Sequence, residues 1–230
     1  MNLVITMIKS KGWNWKIVDD DPNCVWKNPS IESYYLLNRW SSLKLKNFLD
    51  LGCGLGRHSV LFAANDFNVS CFDISEEAIK RTKDWCLKEG LKCDYKVGDM
   101  LKLPYDDEAF DSILCRNVIS HTDTEGMKEI IKELKRVLKP NGECYITLGS
   151  KDTWGFKQES WPLKDPNTRL KMEEGPEYMT PHFYADYELC NYLFKDFKII
   201  TIYQTIEYYE SNNKLFDSYH YHLLIKKTDN

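Results

Sequence analysis

Short apolar runs alternate with amphipathic stretches through the middle of the chain. Asn47-Phe48-Leu49-Asp50-Leu51 is an apolar run that ends in glycines, and residues 58–64 follow with helical character. Residues 67–72 read as a second strand. Ser75 then has the character of a helix N-cap, with Glu76 and Glu77 in the first turn, where the helix dipole favours negative charge. That helix is expected to run to about Lys88 and to stop at Gly90. Residues 92–97 and 110–115 predict a third and a fourth strand. Thr122 and Glu125 have capping-box spacing ahead of a helix that places Met127, Ile130, Ile131, Leu134, Val137 and Leu138 on one face. Lys139-Pro140-Asn141-Gly142 marks a turn, and residues 144–148 a fifth strand.

Strands separated by helices pair in parallel through right-handed crossovers. These strands are apolar on both faces, which suits a sheet covered by helices on both sides. The pattern changes further on. Residues 197–209 alternate as an edge strand does, and 219–225 follow a polar turn at 211–214. That pair predicts an antiparallel hairpin closing one edge of the sheet. Two regions stand outside the alternation. Residues 1–45 hold Trp13, Trp15, Trp26, Tyr34, Tyr35 and Trp40. Residues 151–187 hold Trp154, Phe156, Trp161, Tyr178, Phe183, Tyr184 and Tyr187 with four prolines, ahead of a helix that should begin near Asp186. Such aromatic content argues against disorder. The expected organisation is one domain over 1–230, with an aromatic cap at 1–45 and an insertion at 151–187 forming a substrate lid.

Composition narrows the class. With 43% hydrophobic and 29% charged residues, the 230-residue chain reads as a soluble globular protein. Thirty-one Lys+Arg against 35 Asp+Glu leave a formal charge of -4, which weighs against nucleic acid as the default partner. The eight cysteines contain no C-x-x-C pair, and Cys71, Cys115 and Cys144 lie in apolar runs as small buried hydrophobes would. The apolar run at residues 3–8 is too short to span a bilayer and lacks a basic region before it. A reducing, cytoplasmic setting with no membrane partner is expected.

The sharpest feature is Asp50-Leu51-Gly52-Cys53-Gly54-Leu55-Gly56-Arg57 at the end of the first strand. Glycines here let the backbone turn tightly and approach a ligand, and the next helix offers unpaired N–H groups. The spacing is G-x-G-x-G. A dinucleotide fingerprint would need its third glycine at Arg57, so a pyrophosphate is not the best fit. Taken alone, the loop could also be an ordinary strand-to-helix turn. Asp73 closes the second strand, where a carboxylate can accept both hydroxyls of a ribose. Gly98-Asp99-Met100 ends the third, where a carboxylate can accept from an adenine amino group while the thioether packs on the ring. Three such turns at successive parallel strand ends describe a nucleoside site.

The motifs D-L-G-C-G-L-G-R, F-D-I-S, G-D-M, and F-D-S-I-L followed by L-K-R-V-L-K-P-N-G resemble class I S-adenosylmethionine (SAM)-dependent methyltransferases of the Rossmann-like, small-molecule type, over about residues 45–150. The resemblance implies an α/β three-layer sandwich with helices on both faces of a seven-stranded, mostly parallel sheet of order 3-2-1-4-5-7-6, strand 7 antiparallel. It implies SAM as cofactor and S-adenosylhomocysteine (SAH) as product. Asp50, Gly52 and Gly54 would bound the methionine end, with Cys53 between the glycines, and Gly56 would allow close packing of the first helix. Asp73 would bind the ribose with Ile74 against the adenine, and Asp99 and Met100 would hold the adenine edge and face. Arg116 and Asn117 would line the cofactor and open toward the substrate. Arg57 would help neutralise the cofactor carboxylate, or cap a helix face at the surface.

The acceptor half is less legible. Methyl transfer asks the protein chiefly to align a nucleophile with an activated methyl group and exclude water, so no single catalytic residue is demanded. His121 could be a base or substrate partner, or could pack ahead of the helix that follows. His182, Tyr184 and Trp154 could contact substrate from the insertion, or could pack it down. His220 and His222 alternate along the last strand and are expected to share its solvent side. The aromatic residues could hold a cationic or planar substrate with help from Asp19, Asp20, Asp21, Glu173 and Glu174, or simply pack the extensions onto the sheet. No histidine pair has metal-ligand spacing, so no metal is expected. An N/D-P-P-aromatic motif is absent after the fourth strand, where Cys115-Arg116-Asn117-Val118 stands, and no cysteine follows a proline. Both absences lower nucleic-acid methylation. The expected activity is methyl transfer to a small-molecule N, O or S nucleophile. The alternatives are a non-catalytic SAM- or SAH-binding module, a protein-substrate methyltransferase or a nicotinamide oxidoreductase.

Overall fold

In the computed structural model, which describes residues 10–18, 24–211 and 214–228, strand and helix alternate as the apolar pattern predicts. The run at 3–8, Asp19 to Asp21 and the tip of the last hairpin lie outside the described residues. Strands β1 (Asn47–Leu51), β2 (Asn68–Asp73), β3 (Cys93–Val97), β4 (Phe110–Cys115) and β5 (Leu138–Ser150) pair in parallel in the order β3-β2-β1-β4-β5. The insertion adds three short strands, β6 (Leu163–Asp165), β7 (Thr168–Leu170) and β8 (Pro181–Ala185). They form an antiparallel ribbon whose last member runs parallel to the end of β5. β9 (Lys198–Ser211) and β10 (Lys214–Lys226) complete the sheet, with β10 antiparallel between β5 and β9.

The core path β3-β2-β1-β4-β5-β10-β9 is the expected seven-stranded order with the last strand antiparallel. The ribbon raises the sheet to ten strands, three more than expected. Chain pattern alone hid them because the segments are short and interrupted by prolines.

Helices α1 (Ile31–Ser42), α2 (Arg57–Ala63), α3 (Glu76–Lys88), α4 (Thr124–Val137) and α5 (Tyr187–Leu193) cover both faces. Successive strand residues point to opposite faces, so neighbours join different cores. Leu49 and Ile113 pack with Met127, Ile130 and Leu134 of α4, whereas Phe48 and Leu114 pack with Trp40 of α1, Phe62 of α2 and Ile79 of α3. Trp40 is therefore a core residue rather than part of a lid.

Three local expectations change. Asp123, not Thr122, caps α4, its carboxylate accepting from the Gly126 N–H at 2.9 Å. Thr122 is turned inward and fully buried, and Glu125 pairs with Lys128 on the surface. β5 begins well before residue 144, because the turn around Asn141 (φ +63°) is absorbed as an irregularity between β4 and β5. His220 and His222 do not lie on a solvent face, because other parts of the fold cover that side of β10, with Tyr203 stacked on His222 and Glu32 of α1 beside it. His222 is buried against the Tyr145 hydroxyl and Thr205, and His220 faces an internal cavity.

Candidate active site

The loop after β1 turns on Gly52, Gly54 and Gly56, at φ +72°, +56° and +91°. The N–H groups of Gly52 and Cys53 donate to the Phe72 carbonyl at 2.7 and 3.0 Å, which binds the loop to the end of β2. A Cβ on Gly56 would lie 2.8 Å from Thr82 Cγ2, so the third glycine lets α2 seat against α3. Asp50 lies behind this loop, not on the cleft wall, and accepts from the Ser59 hydroxyl at 2.6 Å. Burial pushes its carboxyl up to about 6, against the Ser59 hydrogen bond.

Above the loop, the ends of β1, β2 and β4 and the turn after β3 form a narrow cleft. Gly52, Cys53, Gly54, Arg57, Asp73, Ile74, Met100, Arg116 and Asn117 all line it, so most expected cofactor residues converge. Asp73 is buried, which raises its carboxyl, while the Ser75 and Gly54 N–H groups that it accepts at 2.9 Å oppose the rise. Asp99 stands at the edge, accepting from Ser10 Oγ at 2.5 Å and the Leu101 N–H at 3.0 Å. Arg57 and Arg116 converge at the far end. Burial and the Arg116 charge lower Arg57 to about 10. Burial and the same two guanidiniums hold His58, missed by sequence reasoning, well below its ordinary value. Trp13, Trp15 and Trp26 roof the cleft, with Trp13 edge-to-face against Trp26 and 4.6 Å between ring centres.

A second cavity of about 800 Å³ adjoins the cleft and shares Trp13, Trp26, Asn117 and His121 with it. Its other walls include Trp154, Trp161, His182, Tyr184, Tyr219 and His220. The four expected substrate residues, His121, Trp154, His182 and Tyr184, thus meet around one space.

Residues 48–142 match the family described as "Methyltransferase domain". The core of the chain thus resembles a methyltransferase domain. Norajmaline N-methyltransferase from Rauvolfia serpentina is 35% identical over 109 residues, covering 46% of this chain and 36% of that protein. A tRNA (carboxymethyluridine(34)-5-O)-methyltransferase from Arabidopsis thaliana is 35% identical over 138 residues, covering 58% of this chain and 30% of that protein. The chain thus spans roughly a third of the length of these two relatives. A solved structure of a SAM-dependent methyltransferase from Methanosarcina mazei aligns at TM-score 0.66 and 23% identity, covering 80% of this chain and 93% of that one. That likeness is one of fold.

Apart from Asn117, Ser120 and His121, the residues that wall the second cavity lie outside the matched segment. Glu177 is the residue that sequence reasoning missed there. It sits in the run Glu173-Glu174-Gly175-Pro176-Glu177, which reads as a solvated acidic stretch. In the fold it is mostly buried and accepts from Trp13 Nε1 at 2.7 Å and Lys171 Nζ at 2.5 Å. Burial would raise its carboxyl, but the His121 hydrogen bond and the charges of His182, His121 and Lys171 hold it well below the usual range. Burial lowers His182 to about 3, against the pull of Glu177. Among the described residues no helix is long and apolar enough to cross a membrane, and all eight cysteines are free thiols.

Proposed function

We propose that the chain transfers the methyl group of SAM to a small acceptor held in the second cavity. The observation that carries this reading is the shared wall. The narrow cleft shares Trp13, Trp26, Asn117 and His121 with a space large enough for a small organic molecule. The residues present suit the cofactor. Each oxygen of the Asp73 carboxylate already accepts one backbone N–H and retains capacity for a ribose hydroxyl. Asp99 would accept the adenine amino group where it now accepts Ser10, with Met100 and Ile74 on the ring faces. Arg57 and Arg116 would meet the amino-acid carboxylate.

SAM would supply an activated methyl group. The domain's own work would be to orient the acceptor in line with it and exclude water, which the Trp13–Trp15–Trp26 roof is placed to do. Aromatic walls and the carboxylates of Glu173, Glu174 and Glu207 favour a planar acceptor that carries positive charge. The relative named for N-methylating norajmaline is compatible with such an acceptor.

Titration calorimetry with SAM and SAH tests the reading, with NADH as control. Binding of both sulfur ligands and not NADH is expected. Asp73→Ala should weaken SAM by on the order of 1.5–3 kcal/mol, the range for hydrogen bonds to charged groups. Unchanged affinity would remove Asp73 from the site, and absent SAM and SAH binding would end the proposal.

A further inference from the structure

His121, Glu177 and His182 form the one group of three possible metal ligands found among the described residues, with their ligand atoms all within 4.8 Å of one another. We propose that this triad is a divalent-metal site, of the class that takes zinc, set where the cofactor cleft meets the second cavity.

The distances are the first argument. Zinc bonds to imidazole nitrogen and carboxylate oxygen are about 2.0–2.2 Å long, so two ligands of a tetrahedral ion lie roughly 3.4 Å apart. Glu177 Oε1 is 3.3 Å from His121 Nε2 and 3.7 Å from His182 Nε2. Both separations match a tetrahedral edge. The second is too long for a hydrogen bond.

The second argument is His182 itself. Its Nε2 is fully buried and has no hydrogen-bond partner among the described residues. A buried imidazole nitrogen left unsatisfied is costly, and a metal bond at that atom removes the cost.

The surroundings are those of a metal ligand set. Lys171 Nζ holds Glu177 Oε2 at 2.5 Å, and Trp13 Nε1 donates to Oε1 at 2.7 Å. Outer contacts of this kind fix a ligating carboxylate in place. Two histidines and one glutamate leave a fourth position, which marks a catalytic rather than a closed structural zinc site. Both His121 and His182 line the 800 Å³ cavity, so that position faces the space assigned to the acceptor. A hydroxyl or thiol bound there would lose its proton to solvent more readily and keep the electron pair for bonding. Occupancy of the site does not depend on SAM, so it stands or falls apart from the proposed reaction.

Cobalt(II) titration of the metal-stripped 230-residue chain tests it, read by visible absorption. One equivalent per chain is expected, with d–d bands of a four- or five-coordinate nitrogen and oxygen site. His182→Ala and Glu177→Gln should each weaken binding by a hundredfold or more, with circular dichroism unchanged. Absence of stoichiometric binding by the parent chain would overturn the site, whatever the variants do. So would binding that survives both substitutions, or a near-ultraviolet thiolate charge-transfer band, which would place the ion on the cysteines.

Discussion

Asp50 opens the glycine-loop motif, yet its carboxylate faces the protein interior and Ser59 rather than the cleft. Its chemistry is therefore read through stability. Burial raises the folded-state carboxyl to about 6 from an ordinary 3.8. The folded chain holds this proton more tightly than the unfolded chain does. The associated stability is full below about pH 3.8, falls as pH rises through about 6, and is absent above. Asp50→Asn removes the ionisation and keeps an acceptor for the Ser59 hydroxyl. It should raise the melting temperature at pH 7.5, by an upper bound of about 3 kcal/mol in stability. The gap between variant and parent should close as pH drops toward 4. A gap of the same size at both pH values would show that Asp50 is not the group concerned.

At the level of elements, the cleft depends on how α2 and α3 meet behind the loop. Gly56 and Gly90 both take positive φ, at +91° and +70°, one before α2 and one after α3. They differ in surroundings. A Cβ on Gly90 meets open space, whereas on Gly56 it meets the Thr82 side chain at 2.8 Å. Gly90→Ala should cost only the left-handed conformation, about 1–2 kcal/mol. Gly56→Ala should cost clearly more, because Thr82 also donates to the Gly54 carbonyl at 2.8 Å and cannot withdraw freely. Chemical denaturation of the two variants separates the effects. Equal losses would mean that α3 yields and that the loop is not braced there.

Across the whole molecule, the N-terminal region is tied to the sheet and insertion by several contacts, two of them central. The first is at the core. Arg39 grips Glu143 of β5 through two hydrogen bonds of 2.8 and 2.7 Å, and Trp40 Nε1 adds a third at 2.9 Å. Glu143 is almost wholly buried, so removing Arg39 strands a charge. Arg39→Ala should lower stability by on the order of 3 kcal/mol. Adding Glu143→Gln should recover part of the loss by neutralising the stranded group. A double variant that loses the sum of the single effects would refute this account. The second contact is over the cleft, where Asn14 N–H meets the Pro176 carbonyl at 3.0 Å and Trp13 meets Glu177. The proposed cap and lid thus hold one another above the proposed cofactor, where they would shield a reaction from water.

Local chemistry made the cleft proposed for the cofactor readable in advance. The loop glycines, the Ser75 cap, Asp73 and Asp99 are each placed by turn geometry or a strand end within a few residues of their own position. The alternation of apolar runs likewise foretold parallel strands joined by helices and a closing antiparallel hairpin, while the strand order itself followed from the resemblance to the methyltransferase family. The other half depends on distance along the chain. His121 and His182 have no metal-ligand spacing in sequence, and Glu177 looks like one more solvated acid. Only the ribbon of β7 and β8, laid against the end of β5, brings them within reach of one another and of Trp13. The inward facing of His220 and His222 has the same origin, since one-dimensional alternation marks two faces of a strand but not which of them the rest of the fold will cover.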